Sequence, residues 1–174
     1  MKGMKVNKAY SFRIYPNEDQ EVLISKTLGC TRYIFNYFLG KRRDLYNSNK
    51  ETYTYYDCCA ELTQMKKNDD TIWLKEVDAI ALQSSVKHLD NGYVNFFRRV
   101  RNGEKPGYPK FKKKDSYKSY QTKKVGENIV VLEKSIKLPK LGEVKAAISK
   151  RVEGRILNAT VSKRPSGKYY VSIC

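Results

Sequence analysis

The side chains best suited to chemistry in this sequence are cations interleaved with rings. Positions 98–118 carry nine basic residues: Arg98, Arg99, Arg101, Lys105, Lys110, Lys112, Lys113, Lys114 and Lys118. Two acids, Glu104 and Asp115, stand against them. Tyr108, Phe111 and Tyr117 lie inside the run, and Tyr120 follows it. Lysines spaced as 110, 112, 113 and 114 can neutralise successive phosphates, each released counterion adding a salt-dependent, sequence-blind increment to affinity. Ring faces among them can stack on bases. A solvated loop whose aromatics only anchor it is the competing reading. Two smaller clusters repeat the pattern: Arg42 and Arg43 after Lys41, and Lys163, Arg164 and Lys168 around a turn. For both, a solvated surface is an equally good explanation.

Catalytic material is thin by comparison. The one histidine, His88, falls off the apolar stripe of its helix, with no nucleophile or carboxylate placed beside it by spacing. No H-E-x-x-H, phosphate-cradling P-loop or dinucleotide fingerprint occurs. Asp69, Asp70, Glu76 and Asp78 cluster near helix ends, where acids complement the helix dipole. The cysteines, Cys30, Cys58, Cys59 and Cys174, form no C-x-x-C pair, and zinc would need distant segments to converge. These features predict a protein that is not an enzyme, with no catalytic residues, metal or cofactor, and with reduced thiols in a cytoplasmic setting.

The whole chain agrees with the basic stretch. Its 174 residues hold 35 Lys and Arg against 18 Asp and Glu, so 35 − 18 gives +17. A globular composition with that excess predicts a polyanion partner, structured RNA or double-stranded DNA first. An acidic membrane surface and a ribosomal or chromatin scaffold follow. No apolar run nears the ~20 residues of a membrane span, and no secretory apolar core follows the basic start. No membrane partner is expected.

The elements that must position these side chains follow from periodicity. Tyr10, Phe12 and Ile14 alternate with Ser11 and Arg13, the pattern of a half-buried strand that Pro16 ends. Asn17 and Gln20 have capping-box spacing for a helix from Glu18 to Leu28. Gly29 is expected to break or bend it. Cys30, Tyr33, Ile34, Tyr37 and Phe38 then make the stripe of a second helix, ended by the loop Asn47-Ser48-Asn49. A third helix is predicted over Tyr55–Lys67 with Cys59, Leu62 and Met65 inward, then a plug at Trp73 and Leu74. The longest stripe, Leu82, Val86, Leu89, Tyr93, Phe96 or Phe97 and Val100, predicts a helix over Asp78–Arg99. Pro106, Gly107 and Pro109 keep the basic segment out of helix. Strands are predicted at Ser119–Lys123, Asn128–Leu132, Ser135–Leu138, Glu143–Ile148, Ile156–Arg164 and Lys168–Ile173, with Pro165-Ser166-Gly167 turning the last hairpin.

A lone first strand needs partners, and the C-terminal strands are the economical choice. The expectation is an α+β fold: a small antiparallel β-barrel, wedge or OB-like, formed by residues 1–16 and 101–174. A helical bundle over residues 17–100 interrupts it. The last strand is expected to leave an open edge beside Cys174.

Several segments carry a family resemblance. They are Phe12-Arg13-Ile14-Tyr15-Pro16, Gly29 with Arg32, Tyr33 and Asn36, Trp73-Leu74-Lys75-Glu76-Val77, Ala81-Leu82-Gln83 and Phe96-Phe97-Arg98-Arg99. Lys105-Pro106-Gly107-Tyr108-Pro109-Lys110-Phe111-Lys112 is the most specific; Ile136–Gly142 and Pro165–Val171 complete the order. The chain resembles the N-terminal part of the TnpB (OrfB) proteins of insertion sequences, transposase-associated relatives of type V CRISPR effector nucleases. The resemblance implies a wedge domain interrupted by a helical recognition domain, holding transposon-derived guide RNA and reading a motif beside target DNA. It adds Arg32 and Asn36 to the candidate contacts. The RuvC-like nuclease part and its acidic residues lie beyond the matched segments. The expectation is therefore a non-catalytic nucleic-acid-binding module. The alternatives are an accessory or split subunit docking onto a nuclease-domain partner chain, or an inactive transposon relic acting as a DNA-binding regulator.

Overall fold

The computed structural model describes residues 3–174. In chain order its elements are β1 (Tyr10–Tyr15), α1 (Glu18–Asn49), α2 (Tyr55–Met65), a 3-10 turn (Ile72–Glu76) and α3 (Ala79–Arg101). Six strands follow: β2 (Ser119–Lys123), β3 (Val130–Val131), β4 (Ser135–Leu138), β5 (Gly142–Ala147), β6 (Asn158–Lys163) and β7 (Tyr169–Ile173). The chain divides into two units. One comprises residues up to Ser25 with Lys118–Cys174, and the other Lys26–Tyr117.

In the first unit all seven strands join one antiparallel sheet in the order β2-β6-β7-β1-β5-β4-β3. The alternation read in β1 is real: Phe12 and Ile14 are buried and Ser11 and Tyr15 exposed. Phe12 faces Val171 across one ladder and Ile14 faces Ala146 across the other. The first strand thus occupies the middle of the sheet. The start of α1 is tied to the same unit by the expected capping box. Gln20 N–H donates to Asn17 Oδ1 (2.9 Å) and Asn17 N–H to Gln20 Oε1 (3.0 Å). Gln20 Nε2 also donates to the carbonyls of Leu141 (3.2 Å) and Glu143 (2.9 Å), so one side chain caps a helix and holds the β4–β5 hairpin.

The expected barrel is not there. The sheet is open, with β2 and β3 as its two edges. Seven flat strands would span roughly 29 Å, whereas the seven steps from Lys123 to Val130 reach at most about 25 Å, so the sheet has to curl. It does not close: β2 and β3 do not pair with each other, and the segment between them is a turn. Asn128 Oδ1 accepts from Val125 N–H (2.8 Å) and its Nδ2 donates to the Lys123 carbonyl (2.9 Å). That leaves β3 with two residues, shorter than the Asn128–Leu132 strand expected. The C-terminal edge is also absent, since β7 is paired on both sides, with β6 and with β1.

In the second unit the core consists of fully buried Ile34, Phe38, Leu39, Leu62, Leu74, Leu82, Val86 and Leu89. Ser85 Oγ donates to the Thr31 carbonyl (2.6 Å), linking α3 to α1. Gly29 does not break the helix: α1 runs unbroken over 32 residues. A mid-helix glycine costs about 1 kcal/mol relative to alanine, and the buried side chains on either side outweigh it. Asn47-Ser48-Asn49 is not a loop but the last turn of α1, which Lys50 ends in the left-handed region at φ 54°. In α2 Leu62 and Met65 are buried as expected, but Cys58 rather than Cys59 completes their stripe, at i, i+4 and i+7, and Cys59 is half-buried. The α3 stripe is buried as far as Tyr93; Phe97 and Val100 are exposed.

This register makes a stability prediction. Leu89→Ala, at a fully buried position, should cost roughly 2–5 kcal/mol. Phe97→Ala, at a residue 57% exposed, should change stability by less than about 1 kcal/mol. Urea titrations of both variants check it; equal losses would overturn the register.

Candidate nucleic-acid interface

The basic segment leaves α3 at Asn102 and crosses the helical unit as an extended strand of rings and cations. Its rings are seated by helix residues. Pro109 rests over Gly92, where an added Cβ would lie 3.3 Å from Pro109 Cγ. The glycine that weakens α3 locally therefore admits the loop. Tyr108 meets Tyr93 and Phe96 edge-on at 5.5 and 5.2 Å, and the Tyr93 and Tyr108 hydroxyls are 3.0 Å apart. Burial, then that hydrogen bond, raises the Tyr93 pKa, so the phenol stays protonated. Phe111 lies under the Arg43 guanidinium at 5.2 Å and approaches Gly40, whose added Cβ would be 3.8 Å from its ring.

The strand itself is held by Asn36. Its Nδ2 donates to the Lys112 carbonyl (2.9 Å), and Lys112 N–H donates to Asn36 Oδ1 (2.7 Å). An asparagine amide presents donor and acceptor in the spacing of a peptide group, so it pairs with one residue as a neighbouring strand would. Lys112 Nζ lies 5.1 Å from the centre of the Phe35 ring. Lys110, Lys113 and Lys114 flank this fixed point, and Lys105, Lys110, Lys112, Lys113 and Lys114 are all exposed. Arg98 and Arg99 are exposed in the last turn of α3, where cations complement the helix dipole.

Neighbouring cations are used differently. Lys41 donates to both oxygens of Glu61 at 2.8 and 2.7 Å, and Glu61 also accepts from the hydroxyls of Tyr37 and Tyr53 at 2.6 Å each. Burial would raise the Glu61 pKa, but these donors outweigh it and hold the carboxyl below its ordinary value. Tyr37 is pushed up to about 12, chiefly by its hydrogen bond to Glu61. Arg42 pairs with Asp90 at 3.3 Å and lies 4.4 Å over the Tyr93 ring. Of Lys41, Arg42 and Arg43, only Arg43 is exposed. Arg32 is half-buried on α1, one turn before Asn36.

The sheet unit gathers its own cluster. Lys163 N–H donates to the Lys118 carbonyl (2.9 Å), which brings Lys118 beside the β6–β7 hairpin. There Gly167 adopts φ 80° and donates to the Arg164 carbonyl (2.9 Å), closing a three-residue turn. Lys163 and Arg164 lie over the rings of Tyr169 and Tyr170 at 5.4 and 4.0 Å. Lys118, Arg164 and Lys168 are exposed. Tyr169 is core and Tyr170 half-buried, as their opposite faces require.

Sequence reasoning missed the groove formed in the helical unit by Tyr46, Tyr53, Tyr93, Phe96, Phe97 and Tyr108. Its signal was the adjacent pair Phe96-Phe97, which one helix stripe cannot bury together. Among the described residues, no three His, Cys, Asp or Glu side chains converge to hold a metal ion. Burial pushes the Cys30 and Cys58 thiols up to about 11 and 12. Among the described residues, no helix is long and apolar enough to cross a membrane.

Residues 4–51 match a family model described as a helix-turn-helix domain, of the OrfB type of IS605 elements. The chain is 31% identical over 173 residues to an Escherichia coli protein, InsQ, which bears the name of an RNA-guided DNA endonuclease. It is also 31% identical over 108 residues to a Streptomyces pristinaespiralis protein of the same kind of name. The first match takes in 98% of this chain but 40% of the relative, the second 62% and 26%. The chain thus spans less than half the length of these relatives.

Two predictions follow from the geometry. Asn36→Ala should speed hydrogen exchange at the Lys112 amide and cost about 1 kcal/mol; unchanged exchange would show that the clamp does not hold the loop. Because the folded Glu61 pKa is depressed, its contribution is present above the unfolded value of about 4.3 and is lost as pH falls through the folded value. Glu61→Gln should therefore be roughly 1–3 kcal/mol less stable than the parent at pH 7. The difference should shrink in urea titrations at pH 3.

Proposed function

From a chain that carries an N-terminal OrfB/IS605-type domain, homologous to TnpB/OrfB-like RNA-guided DNA endonucleases, we propose a nucleic-acid-binding module. Its part is to bind guide RNA, the DNA flanking a target, or both. It contributes affinity and orientation rather than bond cleavage. The observation that carries this reading is the Asn36 clamp. It fixes Lys112 in place with Lys110, Lys113 and Lys114 exposed around it and Phe111 braced by Arg43. A fixed row of cations meets a phosphate backbone with less ordering cost than a free loop. Such contacts orient a strand without reading its sequence, which suits a protein whose specificity comes from base pairing. Arg32, Arg43, Arg98, Arg99, Lys105 and Tyr108 are proposed to extend this surface within the helical unit, and Lys118, Lys163, Arg164 and Lys168 to contribute contacts of their own from the sheet unit. Arg42 and Asn36 support it through the partners described above.

The test is a filter-binding titration across salt. Replacing Lys112, Lys113 and Lys114 with alanine should weaken binding to many sequences alike and lower the salt slope by about 2–3 units. An unchanged slope would mean that these lysines only face solvent. Magnesium-dependent cleavage persisting through stringent purification would overturn the assignment to binding alone.

A further inference from the structure

The aromatic groove of the helical unit has a volume of about 560 Å³, within the range of small-ligand sites. Tyr46 of α1, Phe97 of α3 and Tyr108 of the basic segment are 56%, 57% and 41% exposed. Three large rings left open on one wall need an explanation, since covering them would be favourable. Phe97 and Tyr108 are held open through Phe96, and the Tyr46 ring carries Lys50 Nζ 4.6 Å from its centre. Phe96 sits edge-on to Phe97 at 5.3 Å and to Tyr108 at 5.2 Å, with interplanar angles of 70° and 85°. Tyr108 is further fixed through its hydroxyl to Tyr93. The rings therefore cannot collapse face to face.

The polar lining selects the occupant. Arg43 and Asn47 line the groove, and among the described residues Glu51 is its only acid. Ring faces suit a flat aromatic group, and Arg43 suits an anion attached to it. A second copy of a chain carrying +17 would meet like charge. The groove is also continuous with the basic segment, because Tyr108 belongs to both and Arg43 braces Phe111. Resting on the nucleic-acid reading above, we propose that this groove holds one unpaired base of a nucleic-acid strand, stacked on Tyr46 or Phe97, while the strand's phosphates run along Lys110–Lys114.

The experiment uses a single-stranded oligonucleotide carrying 2-aminopurine, in ribo and deoxyribo forms, and the matching duplex. Stacking in the groove should quench the 2-aminopurine signal in either form. Combined Tyr46→Ala and Phe97→Ala, both at exposed positions, should abolish the quench and weaken single-strand binding by about 5–150-fold. Duplex affinity and salt slope should be retained, with an unchanged melting curve confirming the fold. A quench that survives the substitutions, or an equal loss for duplex, would overturn the proposal while leaving the basic surface intact. Concentration-dependent self-association of the parent chain that the variant loses would overturn it in favour of a protein interface. If neither strand nor duplex bound the parent with salt-dependent affinity, the nucleic-acid reading would fail first and this proposal with it.

Discussion

The sheet unit depends on the central place of β1. A strand in the middle must satisfy hydrogen-bonding groups on both edges, and β1 does so against β7 and β5, two segments more than a hundred residues downstream. The chain therefore has to leave the sheet after Tyr15 and return at Ser119 before the unit is complete. Everything between becomes an excursion of helices and the basic segment. Such long-range pairing is entropically expensive to form. Gln20 offsets part of that cost by bonding the first turn of α1 to the carbonyls of Leu141 and Glu143.

Within the helical unit the few acids decide which cations remain available. Glu61 takes Lys41, Asp90 takes Arg42 and Glu76 takes Lys26. These pairs give internal structure to cations that the sequence presents as equals of their neighbours. Among the described residues, neither Glu104 nor Asp115 forms an ion pair with the lysines of the basic segment, and a cluster of like charges tends to spread and loosen. Asn36 counters this through neutral backbone bonds, and Phe111 and Tyr108 add ring contacts. Order is thus imposed on the loop without cancelling its charge, the combination a phosphate-binding surface requires.

Much of this was legible in the sequence because local rules and tertiary packing agree there. The β1 alternation, the Asn17–Gln20 cap, the turn at Pro165-Ser166-Gly167 and the α3 stripe up to Tyr93 all appear where periodicity puts them. Where local propensity and packing compete, packing wins: Gly29 is a weak helix former carried inside a helix whose buried side chains on either side hold it. Barrel closure was illegible because it depends on whether β2 and β3 pair across the ends of the sheet, which strand count alone does not decide. The site shows the same division. The cations and rings of 98–118 could be named in advance, but their supports, Asn36 on Lys112 and Gly92 under Pro109, are contacts across 76 and 17 positions. No local pattern encodes such pairs.

Residues 4–51 match a helix-turn-helix description. A helix-turn-helix reads DNA by laying its second helix in the major groove, which requires two helices set apart by a turn. In this chain the matched segment is a strand, β1, followed by one uninterrupted helix. Gly29, the weakest helix former between Glu18 and Leu39, lies within that helix, with nothing within 4 Å of where its Cβ would be. No steric demand for a turn exists at that point. The face of α1 that carries Ile34 and Phe38 is buried rather than free to enter a groove. The shared sequence is therefore better explained by what it builds, a central strand and a long helix that presents Asn36, Gly40 and Arg43 to the basic segment. In this chain α1 supports the basic segment rather than standing free as a reading head.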